Sequence, residues 1–170
     1  MIDTELGDTV KTMKQYKHYL FDWGDTLMVD FPSENGPMYQ WSKVEAVKGS
    51  QDLLLELSKT ANCYVATNAK ASSEIDIRKA LARAGLDEYI KGIFCFRSIG
   101  FEKPSKAFFS RISVSLNSEQ NEIVMVGDSL ENDIRGALDF GFDAIWFNPM
   151  KKKIPKGILS VESLKQIVNS

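Results

Sequence analysis

The chain has 170 residues, of which 44% are hydrophobic and 26% are charged, and its formal net charge is −2. This balance indicates a globular protein with one core, and the scattered basic residues leave no nucleic-acid footprint. No apolar run approaches the roughly 20 residues that span a bilayer, and the polar segment 1–17 lacks the apolar stretch of a secretory signal. We therefore expect one domain over residues 1–170, located in the cytoplasm and not in a membrane.

Short apolar runs alternate along the chain with segments of helical period. The runs predict five strands, at residues 19–21, 63–66, 93–96, 123–126 and 144–147. The segments between and after them predict helices at 51–58, 73–84, 105–116, 130–140 and about 160–169. This alternation predicts an α/β fold with a core at about 18–148, namely a doubly wound parallel sheet with helices on both faces.

Three residues mark expected helix ends. Pro104 is expected to open the third of these helices, where the N–H that proline lacks would have no partner in any case. Gly85 and Gly141 follow the second and fourth helices, where a residue in left-handed backbone commonly ends a helix. These residues therefore support the helix boundaries drawn from periodicity.

The cysteines and the histidine favour structural roles. Cys63 and Cys95 each lie in an apolar run, so they are expected to be reduced thiols in the core. His18 immediately precedes the first predicted strand, where a structural or surface role is expected. Two cysteines and one histidine also cannot complete the usual structural zinc patterns.

Polar side chains follow four of the predicted strands, at the edge where a doubly wound sheet binds ligands. Separately, each has an ordinary explanation, such as capping a helix or lying on a solvated surface. Together they predict a site, because the carboxyl ends of parallel strands lie at one edge of the sheet. The residues are Asp22, Asp25 and Thr26 after the first run, Thr67 and Asn68 after the second, Lys103 beyond the third, and Asp128 and Asp133 after the fourth.

The side chains of this predicted cluster suit phosphoryl chemistry. Several carboxylates held together repel one another unless a cation joins them, and oxygen ligands with room for water suit Mg²⁺. Mg²⁺ and a nearby lysine neutralise a phosphoryl group, and a threonine hydroxyl can donate a hydrogen bond to one of its oxygens. A carboxylate can then attack phosphorus and form an aspartyl-phosphate.

The same residues resemble the motifs of the haloacid dehalogenase superfamily, in the expected order and over about residues 18–148. YLFDWGDTL is similar to the first motif and VATN to the second, while GFEKPSKAFF and VMVGDSLENDIRGA are similar to the third and fourth. The stretch GDSLENDI is a specific signal. The resemblance implies a Mg²⁺-dependent hydrolase, and in the first place a phosphatase that cleaves a phosphate monoester through an aspartyl-phosphate.

The resemblance also implies a role for each matching residue. Asp22 is the nucleophile, and Thr67 and Lys103 are catalytic residues that bind the phosphoryl group. Trp23 and Asn68 belong to the substrate-binding set, with the backbone N–H of Trp23 facing the phosphoryl group. Mg²⁺ is held by the residues Asp22, Asp128, Asp133 and, through its backbone carbonyl, Gly24.

One position departs from the family's pattern. Phosphatases of the family carry a second Asp two residues after the nucleophile, which protonates the leaving group and then activates water. Here that residue is Gly24, and Asp25 follows it. Three interpretations stay open: Asp25 takes over proton transfer, hydrolysis proceeds more slowly with substrate or solvent protons, or the protein binds phosphate or a partner without turnover.

The intervals that carry caps in this family are short here. Residues 27–50 and 67–103 have no room for an additional domain, so the resemblance implies a nearly capless phosphatase with an open site. Such a site would accept a phosphorylated macromolecule, or a phosphorylated small molecule enclosed by a second subunit of a homo-oligomer. In the first interval, Phe31, Tyr39 and Trp41 would form a substrate wall or a subunit interface, or would pack this interval against the body.

Overall fold

A parallel sheet forms the centre of the computed structural model, which describes residues 13–168; residues 1–12 of the polar N-terminal segment and residues 169–170 lie outside the described part. The strands are β1 (His18–Phe21), β2 (Asn62–Ala66), β3 (Ile90–Phe94), β4 (Ile123–Gly127), β5 (Asp143–Phe147) and β6 (Ser160–Val161). Their order is β3-β2-β1-β4-β5-β6, and neighbours pair in parallel. The predicted doubly wound sheet is confirmed, with its switch point between β1 and β4.

Helices lie on both faces of this sheet, as predicted. They are α1 (Ser50–Leu57), α2 (Glu74–Arg83), α3 (Phe96–Ile99), α4 (Lys106–Leu116) and α5 (Gly136–Phe140), and a π-helical segment, Leu130–Arg135, leads directly into α5. Short 3₁₀ helices lie at Met38–Gln40, Asp87–Tyr89, Gln120–Glu122 and Leu164–Ile167. None of the helices described within residues 13–168 is long and apolar enough to cross a bilayer.

Alternate residues of the central strands point to opposite faces of the sheet and pack into two hydrophobic cores. Tyr19 and Phe21 of β1 pack with residues of α1 and α2 on one face. Leu20, which lies between them, packs with residues of α4 and α5 on the other face. Because both faces of the strand are buried, the sequence shows a continuous apolar run there instead of an alternating one.

Local signals set most helix ends as predicted. Gly85 and Gly141 adopt left-handed backbone, with φ values of 72° and 115°, which confirms the expected ends of two helices. Ser73 caps α2 through a reciprocal pair of hydrogen bonds with Asp76. The prediction for Pro104 was wrong, because the next residue along the chain is the cap of α4 and proline therefore precedes the helix.

Two other predicted elements differ from the structure. The third strand was predicted at 93–96, but β3 ends earlier because the Ser98 hydroxyl accepts the amide of Cys95 at 3.1 Å at the start of α3. At the C-terminus, β6 and a 3₁₀ helix are present where one longer helix was predicted. The segment is extended because it pairs with β5, and beyond β5 the amide of Asn148 donates to the carbonyl of Val161 at 2.7 Å.

The cysteines and the histidine lie where structural roles were expected. Cys63 and Cys95 are buried and free, and burial raises the pKa of the Cys63 thiol to about 12. His18 is buried at the start of β1, where its Nε2 forms a hydrogen bond of 2.8 Å with the hydroxyl of Ser118. It is therefore at the end of the strand opposite to the predicted site.

Residues 27–50, called the flap from here on, contain no additional domain, and neither do residues 67–103. The guanidinium of Arg83 donates to the carbonyls of Tyr39 and Trp41 at 3.0 and 2.7 Å, which ties the flap to α2. The side chains of these two aromatic residues also pack against the core on that face. The aromatic residues of the flap thus attach it to the body of the protein.

Candidate active site

Asp22 and Asp128 meet at the carboxyl edge of the sheet. Asp22 follows β1, and Asp128 follows β4, which pairs with β1. One carboxylate oxygen from each of Asp22, Asp128 and Asp133 lies within 4.8 Å of the others. The structure therefore brings together at the switch point the three carboxylates that the sequence placed there.

A wide helical turn positions Asp133. In the π-helical segment Leu130–Arg135, the carbonyl of Ser129 accepts the amide of Asp133 at 3.0 Å and, across the wider turn, the amide of Ile134 at 3.3 Å. The amide of Ser129 donates in turn to Oδ2 of Asp133 at 3.0 Å, which fixes the carboxylate. A Cβ on Gly127 would overlap this carboxylate, which explains the glycine. Gly127 was not predicted as a site residue from the sequence, although this glycine begins the GDSLENDI motif.

Lys103 joins two of the three carboxylates. Its side chain is 2% exposed, and its ammonium lies 2.9 Å from Oδ1 of Asp22 and 2.6 Å from Oδ1 of Asp133. It also donates to the carbonyl of Ala66 at 2.8 Å. Burial by itself lowers the pKa of Lys103, but the two carboxylates outweigh this effect and raise the pKa, so the lysine is charged.

Thr67 and Asn68 directly follow β2, and both line the site together with Lys103. The Oδ1 of Asn68 accepts the amide of Lys103 at 2.7 Å, and its Nδ2 donates to the carbonyl of Lys103 at 2.9 Å. The oxygen and the nitrogen of the Asn68 side chain therefore both hold the backbone of Lys103. The hydroxyl of Thr67 accepts the amide of Ala69 at 3.1 Å, and as an acceptor it keeps its own hydrogen to donate.

A cavity of about 330 Å³ opens beside Asp22 and is called the Asp22 cavity from here on. Thr67 and Lys103 line it from the sheet, and Trp41 lines it from the flap. Trp23 also borders it, but its side chain is buried in the core, and its indole N–H has no hydrogen-bond partner among residues 13–168. The volume of the cavity suits a small ligand.

Asp25 lines a different cavity. This second cavity, of about 860 Å³, also borders Asp128 and Trp146. Asp25 adopts left-handed backbone, with a φ of 58°, and its Oδ1 accepts the amide of Asp30 at 3.0 Å. The structure therefore does not bring Asp25 into the lining of the Asp22 cavity.

Two side chains hold Asp128 from outside the acidic cluster. The hydroxyl of Thr26 donates to Oδ1 of Asp128 at 3.3 Å. The indole N–H of Trp146, in β5, donates to the backbone carbonyl of Asp128 at 3.0 Å. Both side chains belong to buried residues, so the position of Asp128 is fixed relative to both β1 and β5.

Asp30, in the flap, stands beside Gly24. A Cβ on Gly24 would lie 3.5 Å from both the Cβ and Oδ2 of Asp30, and both residues line the Asp22 cavity. Partial burial, and then the charges of Asp25 and Asp22, raise the pKa of Asp30. Asp30 was not predicted as a site residue from the sequence, since no spacing rule predicts where a residue of an irregular flap returns to the sheet edge.

The carboxylates at the sheet edge repel one another where water is partly excluded. Burial, a hydrogen bond with Asp22 and the charge of Asp22 raise the pKa of Asp128 to about 7. Burial also raises the pKa of Asp133, against the lowering effect of Lys103. One ammonium does not balance three acids, and hard oxygen donors suit a divalent cation. These residues therefore fit the Mg²⁺ that the sequence predicted.

Comparison with known proteins matches residues 6–147 to the model of the haloacid dehalogenase-like hydrolase family. The HAD-hydrolase YfnB of Bacillus subtilis is 32% identical over 123 residues, which cover 71% of this chain and 51% of YfnB. The pyrimidine 5′-nucleotidase PynA of Streptococcus pneumoniae is 30% identical over 121 residues, which cover 70% of this chain and 50% of PynA. The chain thus spans about half the length of these relatives.

Solved structures agree with the fold. An uncharacterized protein from Listeria monocytogenes serotype 4b superposes with a TM-score of 0.78 and 25% identity, over 89% of this chain and 94% of that chain. YfnB bound to magnesium superposes with a TM-score of 0.73 and 21% identity, over 91% of this chain and 97% of that chain. Because the family model matches most of the sequence, the chain belongs to the haloacid dehalogenase-like hydrolases.

Proposed function

We propose that this protein is a Mg²⁺-dependent phosphatase that hydrolyses a phosphate monoester through an aspartyl-phosphate on Asp22. One observation carries the proposal: the buried ammonium of Lys103 contacts Asp22 at 2.9 Å within a cluster of three carboxylates. A cation at this place offsets the repulsion between a carboxylate nucleophile and an anionic phosphoryl group.

Two relatives support a phosphoric ester as the substrate class. One is the pyrimidine 5′-nucleotidase PynA. Another is the ribulose-1,5-bisphosphate 5-phosphatase of Halopiger xanaduensis, which is 34% identical over 65% of this chain and 45% of its own length. Since the chain spans only about half of each relative, their substrates do not transfer to it.

The proposed metal site uses residues at the switch point of the sheet. Asp22, Asp128 and the backbone carbonyl of Gly24 would hold Mg²⁺, with Asp133 nearby or bound through water. When bound, Mg²⁺ offsets negative charge on the phosphoryl group. The glycine at position 24 is compatible with this role, because a backbone carbonyl does not depend on the side chain.

The residues around the proposed substrate have separate tasks. A carboxylate oxygen of Asp22 bonds to phosphorus while the ester oxygen leaves, and water later releases phosphate from Asp22. Lys103 stabilises the charge on the phosphoryl oxygens, and the hydroxyl of Thr67 and the backbone N–H of Trp23 donate hydrogen bonds to them. Asn68 contributes by holding the backbone of Lys103.

The proposed substrate is a phosphorylated small molecule or a phosphorylated macromolecule. The volume of the Asp22 cavity, about 330 Å³, suits a small molecule. Because residues 27–50 and 67–103 form no additional domain over the site, there is also room for a macromolecule. The cytoplasm is the proposed location. Closure of the cavity by a second subunit of a homo-oligomer stays a prediction.

A second candidate function is binding of phosphate or of a partner without turnover. The observation that favours it is Gly24, because that position lacks the side chain with which phosphatases of the family transfer protons. Lys103 and the acidic cluster would still bind a phosphate group with Mg²⁺. The two functions differ in one measurable property, which is the release of phosphate.

A screen of phosphorylated metabolites with Mg²⁺ tests the proposed function. Wild-type protein should release inorganic phosphate from at least one of them. Asp22→Asn should reduce release to background and keep the fold, since the two side chains are nearly isosteric. Asp139→Asn, an exposed carboxylate of α5, is the matched control and should keep wild-type activity. Phosphate release that is the same in wild type and in Asp22→Asn would support the binding protein instead.

A further inference from the structure

The space beyond Gly24 contains the carboxylate of Asp30. A side chain at position 24 would begin 3.5 Å from Oδ2 of Asp30, and both residues line the Asp22 cavity. The flap thus places a carboxylate where an acidic side chain at position 24 would extend. The carboxylate of Asp30 therefore occupies the region of the cavity that an acidic side chain at position 24 would reach.

Backbone hydrogen bonds hold Asp30 in this place. Its amide donates to Oδ1 of Asp25 at 3.0 Å, and the amide of the adjacent Val29 donates to the carbonyl of Glu45 at 2.8 Å. Asp25 provides its bond from left-handed backbone, while its carboxylate borders the other cavity. Asp25 therefore supports the flap, and Asp30 carries the carboxylate that reaches the Asp22 cavity.

The carboxylate of Asp30 is available to a ligand. Three acids line the Asp22 cavity, and Lys103 engages two of them, Asp22 and Asp133, at 2.9 and 2.6 Å. Within residues 13–168 no group donates a hydrogen bond to the third, Asp30, which is an exposed residue. Asp30 can therefore exchange a proton with solvent while it faces the cavity.

We propose that Asp30 is the general acid and base of the hydrolysis, a task for which Gly24 has no side chain. The inference rests on the proposed function, because it assigns the proton transfers of that reaction. An ester oxygen that leaves as an alkoxide is a poor leaving group unless it is protonated. General acid–base catalysis of this kind contributes about 10²–10⁴-fold to the rate.

Asp30 begins the reaction protonated and ends it protonated. As a carboxylate oxygen of Asp22 bonds to phosphorus, the bond from phosphorus to the ester oxygen breaks, and Asp30 gives its proton to that oxygen to form the free alcohol. The carboxylate of Asp30 then takes a proton from water. The hydroxide oxygen bonds to phosphorus, the bond from phosphorus to Asp22 breaks, and hydrogen phosphate leaves.

The first test compares Asp30→Asn with wild type on two esters of similar size, p-nitrophenyl phosphate and phenyl phosphate. The nitrophenolate leaves without a proton, so the variant should release about one equivalent in the first turnover and then turn over slowly. On phenyl phosphate, even the first turnover should slow by about 10²-fold or more. Glu45→Gln, which removes an exposed carboxylate of the flap outside the Asp22 cavity, should behave as wild type on both esters.

The second test moves the carboxylate from residue 30 to residue 24. Gly24 has no positive φ, and a Cβ there makes only ordinary contacts, so aspartate fits at position 24 once residue 30 is shortened or neutral. The double variant Gly24→Asp/Asp30→Asn should recover at least about 10-fold of the activity on phenyl phosphate that Asp30→Asn loses. A loss caused by a disturbed flap would not recover in this way.

The outcomes separate this inference from the proposed function. If wild-type protein hydrolyses neither ester above the level of Asp22→Asn, the proposed function fails and the assignment of Asp30 fails with it. If wild type is active, but the first turnover of Asp30→Asn slows by equal factors on both esters or does not slow on either, the assignment of Asp30 alone is overturned. A burst on p-nitrophenyl phosphate together with recovery in the double variant supports both.

Discussion

The ammonium of Lys103 lies 2.6 Å from Oδ1 of Asp133, and the side chains are 2% and 1% exposed. This pair links the loop between α3 and α4 to the π-helical segment after β4. Removing one partner of such a pair is costly, because the other charge then stays buried without compensation. The same contact therefore contributes both to folding and to the shape of the site.

Replacing Lys103 by methionine should lower the free energy of unfolding by about 3–5 kcal/mol, measured by urea denaturation in the presence of EDTA. Lys106→Met, which changes an exposed lysine on the same segment, should change it by less than about 0.5 kcal/mol. Adding Asp133→Asn to Lys103→Met should restore part of the loss, because it removes the uncompensated charge. Equal free energies of unfolding for Lys103→Met and Lys106→Met would contradict the proposal that the buried Lys103 ion pair stabilises the fold.

Asp128→Asn should weaken Mg²⁺ binding by more than about 10-fold, measured by titration calorimetry without substrate. The reason is that Asp128 supplies one of the three carboxylate oxygens that lie within 4.8 Å of one another. Asp139→Asn again serves as the control, since it removes an acid of equal charge from the exposed surface of α5. Unchanged affinity in Asp128→Asn would exclude the proposed metal site.

Gly24→Asp by itself should give no faster phosphatase than wild type. The new side chain would begin 3.5 Å from Oδ2 of Asp30, so two carboxylates would share one region of the Asp22 cavity and raise each other's pKa. Steady-state kinetics on phenyl phosphate measure the effect. A gain of about 10-fold or more would show that wild type lacks an effective general acid.

Asp25→Asn should be much milder than Asp22→Asn, with kcat reduced by less than about 10-fold. An asparagine oxygen can still accept the amide of Asp30, and asparagine tolerates the left-handed backbone seen at residue 25. Asp25→Ala should cost more, because it removes the acceptor. If Asp25→Asn instead slowed phenyl phosphate by about 10²-fold or more and spared p-nitrophenyl phosphate, proton transfer would belong to Asp25.

The sequence predicted the sheet and the sheet-edge residues well because both depend on short-range patterns. Buried strands appear as apolar runs, and parallel pairing brings whatever follows Phe21 and Gly127 to the same edge. Asp22 and Asp128 therefore met in space as expected. Motif spacing also placed Asp133, although the π-helical turn that orients it was not visible in periodicity.

The sequence did not predict features that depend on long-range contacts. Ser160 and Val161 form a strand because β5 offers an unpaired edge, which local propensity does not reveal. The place of Asp30 depends on how the flap folds back, through its bond to Asp25 and the pairing of Val29 with Glu45. For the same reason, Asp25 was the one carboxylate considered from the sequence as a replacement for the residue missing at Gly24.

Because the indole of Trp146 donates a hydrogen bond to the backbone of Asp128, the intrinsic fluorescence of the protein should report on the metal site. The ring lies in β5, directly beside the acidic cluster, so a change in charge or geometry at Asp128 alters the surroundings of the fluorophore. Tryptophan emission should therefore shift as Mg²⁺ is added, and Trp146→Phe should reduce that shift. Metal occupancy then becomes visible in real time without any substrate.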